Sequence, residues 1–210
     1  MNRFIKDLIE RYPILDGIKT NIIEASEIMI EAFKNGNTLF LCGNGGSAAD
    51  SEHIAGELLK GFILKRCLNS ELKSKFETKY GKEGLNIAEK LQYGFRALSL
   101  TSHPAFTSAF SNDVDGSLTF AQQLLALSKP GDVVMGITTS GNSQNIYNCL
   151  ITASVIEVKS ILLTGYNGGK CATISDCVIK APGDETFKIQ EYHLPIYHTL
   201  CMIAEDYFHG

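Results

Sequence analysis

Two short loops restrict this chain more than anything else in it: Gly43-Asn44-Gly45-Gly46-Ser47 and Thr138-Thr139-Ser140-Gly141-Asn142-Ser143. Each follows an apolar, strand-like run, 38–42 and 133–137 respectively, and each leads into a segment with helical patterning. A strand that feeds a Gly/Ser-rich turn and then a helix is the layout that binds phosphate. Glycine lets the backbone come close, the helix N-terminus offers N–H groups with partial positive charge, and hydroxyls add donors. Neither loop carries the lysine of a nucleotide-binding P-loop, so the pair points to a phosphorylated small molecule rather than a nucleotide.

The rest of the chain supports a single α/β domain. Strand-like runs near 37–42, 97–101, 132–137, 159–164 and 176–180 alternate with helix-like stretches near 48–60, 117–127, 142–156 and 186–207. Short, almost wholly apolar strands separated by helices predict a parallel sheet covered on both faces. Ligands in such folds bind beyond the carboxyl ends of the strands, where both loops fall. Residues 1–35 read as a helical segment, since Ile14, Ile18, Ile22, Ala25, Ile28, Met29 and Ala32 recur at three- and four-residue spacing. Residues 64–92 fit least well: seven Lys/Arg and four Asp/Glu lie among scattered apolar positions. This segment reads as a solvated helical excursion or, since it follows the helix with the best metal-ligand pair, as a lid or subunit-interface element.

Charge and cysteine usage narrow the partners. A net charge of −4 gives no reason to expect nucleic-acid or anionic-membrane binding, and no apolar run is long enough to span a bilayer. The start of the chain lacks the apolar core of a signal peptide. Cys42, Cys67, Cys149, Cys171, Cys177 and Cys201 are scattered without metal-type spacing, as expected for buried free thiols in a reducing cytoplasm.

Candidate chemistry lies on two helices. His53 and Glu57 are at i, i+4, one turn apart on one helical face, with Ser47 placed to cap that helix. Gln190 and His198, eight residues apart, project within about 80° of each other on a regular helix. Two imidazoles, a carboxylate and an amide can together hold a borderline divalent metal such as zinc, although the His53/Glu57 spacing fits a surface ion pair equally well. Pro195 predicts a helix start or a bend between them. His103, His193, His209 and Lys170 read as loop, packing or tail residues, and Glu191 is a candidate to orient a neighbouring ligand.

These segments resemble a known family. CGNGGSAADSEHIAGEL at 42–58, SND at 111–113, ITTSGNS at 137–143, LTGYNGGK at 163–170 and IQEYHLPIYH at 189–198 are similar, in order, to the sugar isomerase (SIS) domain and more closely to the phosphoheptose isomerases. The resemblance implies a three-layer sandwich with a five-stranded parallel sheet, flavodoxin-like or Rossmann-like, and a homotetramer whose active sites lie at subunit interfaces. The N-terminal helix would serve oligomerisation. It implies isomerisation of sedoheptulose 7-phosphate to D-glycero-D-manno-heptose 7-phosphate, with one Zn2+ per subunit at His53, Glu57, Gln190 and His198. Asn44, Gly45, Gly46, Ser47, Glu57, Asn112, Asp113, Thr138, Thr139, Ser140, Ser143 and Gln190 match substrate-contact positions.

Ketose–aldose interconversion moves a proton between adjacent carbons through an enediol, which needs a base at carbon and an acid/base at oxygen. Glu57 is the candidate for the first and His198 for the second, with the metal polarising the carbonyl. Two rival expectations stand beside this one. The chain could be a non-catalytic adaptor or regulator that binds a sugar phosphate, or an isomerase of another sugar phosphate whose pocket the 64–92 segment reshapes.

Overall fold

The computed structural model describes residues 2–210 and places five parallel strands at its centre: β1 (Leu39–Gly43), β2 (Ala97–Ser99), β3 (Val133–Thr138), β4 (Lys159–Gly165) and β5 (Cys177–Ala181). Their spatial order is β2-β1-β3-β4-β5, with Leu39 beside Val133 and Val133 beside Lys159 setting the register. The order reverses between β1 and β3, and the crevice beyond their carboxyl ends is where such sheets take ligands. Both Gly/Ser loops leave the sheet at that crevice.

The strands are buried on both faces, as their unbroken apolar runs predict. Alternation with period two sends Leu39, Leu41, Met135, Ile137, Ile161 and Leu163 to one core. Phe40, Cys42, Val134 and Leu162 go to the other. The first core is closed by α1 (Arg3–Arg11), α2 (Lys19–Lys34), α3 (Gly46–Leu59) and α8 (Thr186–His209). The second is closed by α6 (Thr119–Leu127) and α7 (Gln144–Val155). Five of the six cysteines are buried in these layers; Cys67 is exposed.

The N-terminal segment differs from a continuous amphipathic helix. Pro13 lacks the N–H that a helix interior needs, and the chain passes from α1 through a 3-10 turn at Pro13–Ile18 before α2 begins. Ile14 consequently faces solvent, while Ile5 and Leu8 of α1 pack inward. Pro195, by contrast, sits inside an unbroken α8.

The charged stretch after α3 is a helical arm, α4 (Ser70–Ala88), folded back at Gly81. Its base is closed by Gly61 N–H donating to Gln92 Oε1 at 3.1 Å and Tyr93 N–H donating to the Arg66 carbonyl at 2.8 Å. The arm is mostly solvated, but Arg66 at its root is fully buried against Glu205 of α8. Glu205 accepts from Arg66 Nε at 2.8 Å and from the N–H groups of Phe62, Ile63 and Leu64 at 2.7–2.9 Å. Four charge-assisted bonds on one carboxylate pin the chain leaving α3 to the last turns of α8. The remaining helix α5 (Pro104–Phe110) leads through a wide turn at Ser111–Asp115 into α6.

Candidate functional site

The β3–α7 loop is built to stay in place. Thr138 Oγ1 and Ser143 Oγ bond each other at 2.9 Å across its mouth. Asn142 donates its N–H to Ser140 Oγ and its side-chain amide to the Ser140 carbonyl, while its oxygen accepts the Lys170 N–H at 3.0 Å. Gly141 has φ of +66°, and a Cβ there would lie 1.9 Å from the Gly168 carbonyl, so glycine is obligatory. Loop 165–171 therefore braces the turn from behind. Thr139 and Ser140 line a cavity of about 260 Å³ with Tyr166, Asn167, Asp184 and Thr186. No Lys or Arg lines it, so an anion there relies on hydroxyl, amide and backbone donors at the α7 N-terminus.

The β1–α3 loop is tied to this one across the crevice. Asn44 and Asn145 exchange side-chain amide bonds at 2.9 and 2.8 Å, and Asn145 also accepts the Ile146 N–H at 3.0 Å. Sequence reading passed over Asn145; its place two residues into the helix after a Gly/Ser turn was the available signal. Ser47 is not the cap of α3. The helix starts at Gly46 after Gly45, and Ser47 is buried in the first turn. Asn112 and Asp113 bond each other at 2.9 Å on the exposed turn after α5.

Helices α3 and α8 run side by side in the same direction. Gly46 lies against Gln190 and His53 against Tyr197, pairs with the same sequence offset. A Cβ at Gly46 would come within 2.6 Å of the Gln190 amide nitrogen. Gln190 is thus held at the loop end of α3, about 12 Å along α8 from His198. His53, Glu57 and His198 meet at the other end. His53 Nε2 is 3.2 Å from Glu57 Oε1, and the His53 and His198 rings cross edge-on with centroids 5.1 Å apart.

Both His53 and Glu57 have further partners. His53 Nδ1 is 3.0 Å from the Tyr197 hydroxyl, which in turn lies 3.3 Å from Asp50 Oδ1. Glu57 Oε2 accepts from Lys60 Nζ at 2.7 Å.

Three side chains brought together at one spot can be tested for fit to a metal ion. His198 Nε2 is buried without a hydrogen-bond partner. The 3.2 Å gap between His53 Nε2 and Glu57 Oε1 is close to the separation of two ligands on one tetrahedral zinc, with bonds of about 2.0–2.1 Å. The donor types fit a borderline divalent cation. Among the described residues, however, no group of three or more His, Cys, Asp or Glu side chains is placed to hold a metal ion as it stands, and Gln190 lies at the loop end beside Gly46.

Electrostatics agree with a functional cluster. Burial raises the Glu57 carboxyl, but the Lys60 bond and charge, and then His53, outweigh it and hold it below the usual range. Burial, and then the nearby His53, push His198 down, which keeps its ring neutral at pH 7. Burial, followed by Asp50, raises Tyr197 so that its phenol stays protonated. Burial raises Asp50, with Tyr197 and His53 opposing. The other histidines lie elsewhere: His193 is buried beside the Thr164 carbonyl, His103 bonds Gln123 at 2.7 Å, and His209 packs near Phe95. Lys170 bonds Gln144 and sits over the Tyr147 ring.

The cavity at the loop end has none of His53, Glu57 and His198 in its lining. His53 and Glu57 are about 10 and 16 Å along α3 from Gly46. His198 opens instead onto a separate cavity of about 300 Å³ with Arg11, Tyr12, Phe62, Pro195 and Met202. A cavity of about 480 Å³ between α2 and α8 contains neither end.

A parallel sheet of this order with hydroxyl-rich loops at its switch point defines a sugar-phosphate-binding α/β class, and the family model for the SIS domain matches residues 3–93. A phosphoheptose isomerase of Aliarcobacter butzleri is 34% identical over 193 residues, covering 92% of this chain and 88% of the relative. The solved phosphoheptose isomerase from Francisella tularensis superposes with a TM-score of 0.77 at 28% identity, covering 97% and 95% of the two chains. That of GmhA from Neisseria gonorrhoeae gives 0.75, also at 28% identity, over 96% and 94%. The chain belongs to the phosphoheptose isomerase family. Among the described residues no helix is long and apolar enough to cross a membrane.

Proposed function

We propose that this chain is a sugar-phosphate isomerase that interconverts sedoheptulose 7-phosphate and D-glycero-D-manno-heptose 7-phosphate in the cytoplasm. The observation that carries the reading is the meeting of Glu57, His53 and His198 at one end of the α3–α8 pair. Family membership supports the substrate class.

Glu57 takes the proton from the carbon next to the carbonyl and returns it to the neighbouring carbon. For that, the Lys60 bond must open; Lys60 is largely exposed, so the ion pair costs little to break. His198, kept neutral by burial, moves the matching proton between the two sugar oxygens. His53, Glu57 and His198 would hold the divalent metal, with zinc the proposed ion and Gln190 the proposed fourth ligand after a local adjustment of α8. When bound, the metal polarises the carbonyl and stabilises negative charge on the enediolate oxygen. Thr138, Thr139, Ser140 and Ser143 anchor the phosphate, while Asn44, Gly45, Gly46, Ser47, Gln190, Asn112 and Asp113 contact the sugar. Binding energy from the distant phosphate then fixes the reacting carbons.

The separation of the two ends along α3 supports a homotetramer with each site shared between subunits. In that arrangement the loops of one protomer would complete the helix end of another. The N-terminal helix α1 is the element proposed to serve in assembly. In the test, purified protein with zinc is assayed for conversion of sedoheptulose 7-phosphate to an aldose phosphate, beside five- and six-carbon phosphates. Turnover of the seven-carbon substrate that is lost in Glu57→Gln supports the reading; wild-type turnover in that variant overturns it.

A further inference from the structure

We propose that the Tyr197 hydroxyl, anchored by Asp50, locks His53 in the tautomer that turns an unprotonated Nε2 toward Glu57, and thereby sets the affinity of this site for a divalent cation. The inference rests on the proposed metal-dependent isomerase and adds a positioning residue to it. Tyr197 is 1% exposed, with its hydroxyl between two polar partners: His53 Nδ1 at 3.0 Å and Asp50 Oδ1 at 3.3 Å.

A phenol has one hydrogen to give, and an ionised carboxylate can only accept. If that hydrogen went to His53 Nδ1, Asp50 Oδ1 would face a phenol oxygen with no proton between them. Asp50 Oδ2 is already buried without a partner, so the whole carboxylate would be stranded. The arrangement that satisfies all three groups has Tyr197 donating to Asp50 and accepting the Nδ1–H of His53. In the neutral ring, the form that binds a metal, the proton is then absent from Nε2, whose lone pair points at the Glu57 carboxylate oxygen 3.2 Å away. Two acceptors at that distance repel each other unless a proton or a metal cation lies between them. The relay thus prepares a cation site before any ion arrives, in the way that partners of metal-bound histidines elsewhere fix ring orientation and tautomer.

Tyr197 lies beside His198 in the chain, and its neighbours Ile196 and Leu200 are core residues. Tyr197→Phe keeps the ring and its packing and deletes only the hydroxyl. Asp50→Ala is the second variant: with no acceptor left there, the phenol hydrogen is free to turn to His53 Nδ1. The metal-free proteins are compared first by circular dichroism and then by 15N shifts of the His53 ring. At a pH high enough to keep the ring neutral, the wild type is expected to show a protonated Nδ1 and bare Nε2, and each variant a shift toward the opposite tautomer. Zinc affinity, measured by competition with a chromophoric chelator, is expected to fall about 10–100-fold in both.

Folded variants with wild-type ring shifts and wild-type zinc affinity overturn the proposal. If the wild type itself binds no zinc and turns over no sugar phosphate, the isomerase reading fails instead. The metal-free spectra still decide whether Tyr197 sets the tautomer. Should Tyr197→Phe fail to fold, the Asp50→Ala spectra and affinity decide alone.

Discussion

At the carboxyl edge of the sheet, Thr138 and Ser143 already bond each other, and Asn142 uses its N–H and both ends of its side-chain amide to brace the turn. At the far end of α3, His198 keeps a buried ring nitrogen with no partner, and His53 and Glu57 face each other across 3.2 Å. The loop end is made of backbone and short side chains whose positions the sheet dictates. The helix end is made of longer side chains from two helices that meet by packing, and there His198 Nε2 is buried without a partner. A rigid turn suits a phosphate that does not change during turnover. Longer side chains and an unpartnered ring nitrogen suit an ion and a reacting carbon. The two ends should therefore respond differently to substitution, the loops in binding and the helices in turnover.

The largest effect tests that division directly. Glu57→Gln is expected to lower kcat by about 10³–10⁴-fold, within or just beyond the range for losing a general base. Sugar-phosphate affinity, read by calorimetry, should stay within a few-fold of wild type. A variant that loses affinity and keeps turnover would reverse the assignment of the two ends.

Next in size is the buried pair behind the helix end. Glu205→Ala strands the Arg66 guanidinium and three backbone N–H groups at once. The expected loss is about 3–5 kcal/mol of unfolding free energy, seen as a lower urea midpoint with an unchanged slope. Replacing Glu205 and Arg66 together with apolar residues should recover part of that loss.

A pH scan separates a third contribution. Burial pushes His193 down to about 4, against the opposing bond to the Thr164 carbonyl, so the folded chain resists its protonation. The unfolded chain takes up that proton near its ordinary value of 6.5. Stability is therefore full above about pH 6.5 and drains as the pH falls, by about 2 kcal/mol between pH 6.5 and 5. His193→Gln should flatten this part of the urea-midpoint profile, and an unchanged slope would assign the acid sensitivity to other groups.

The sheet and both loops were legible because their signals are local: apolar runs, glycines and hydroxyls within a few residues of each other. His53 and Glu57 were legible for the same reason, being one helical turn apart. What escaped depends on partners far away in the chain. Arg66 lies among the solvated charges of 64–92, and its burial is decided by Glu205, 139 residues on. Tyr197 looks like a core aromatic until Asp50 and His53 are placed beside it. The N-terminal segment shows the converse, where one local signal overrode another: the periodicity ran through Pro13 and Gly17, but the missing N–H at Pro13 sent Ile14 to solvent. Gln190 shares a face with His198 by spacing, yet the space above Gly46 draws its amide to the loop end.

Asn145 gives the smallest and most discriminating test, because it belongs to the loop end without offering a donor of its own to spare. Its amide is spent on Asn44 and its oxygen on Asn44 and the Ile146 N–H. Asn145→Ala removes the tie between the two loops but leaves the hydroxyls of Thr138, Ser140 and Ser143 in place. Both loops are also fixed by their own strands, so the loss should be modest, about 1 kcal/mol, or a rise of roughly five- to tenfold in KM. With kcat unchanged, that result means Asn145 serves ground-state and transition-state binding equally. If kcat falls with KM constant, the tie across the crevice reaches the reacting carbons, and the contrast between a binding end and a reacting end no longer holds.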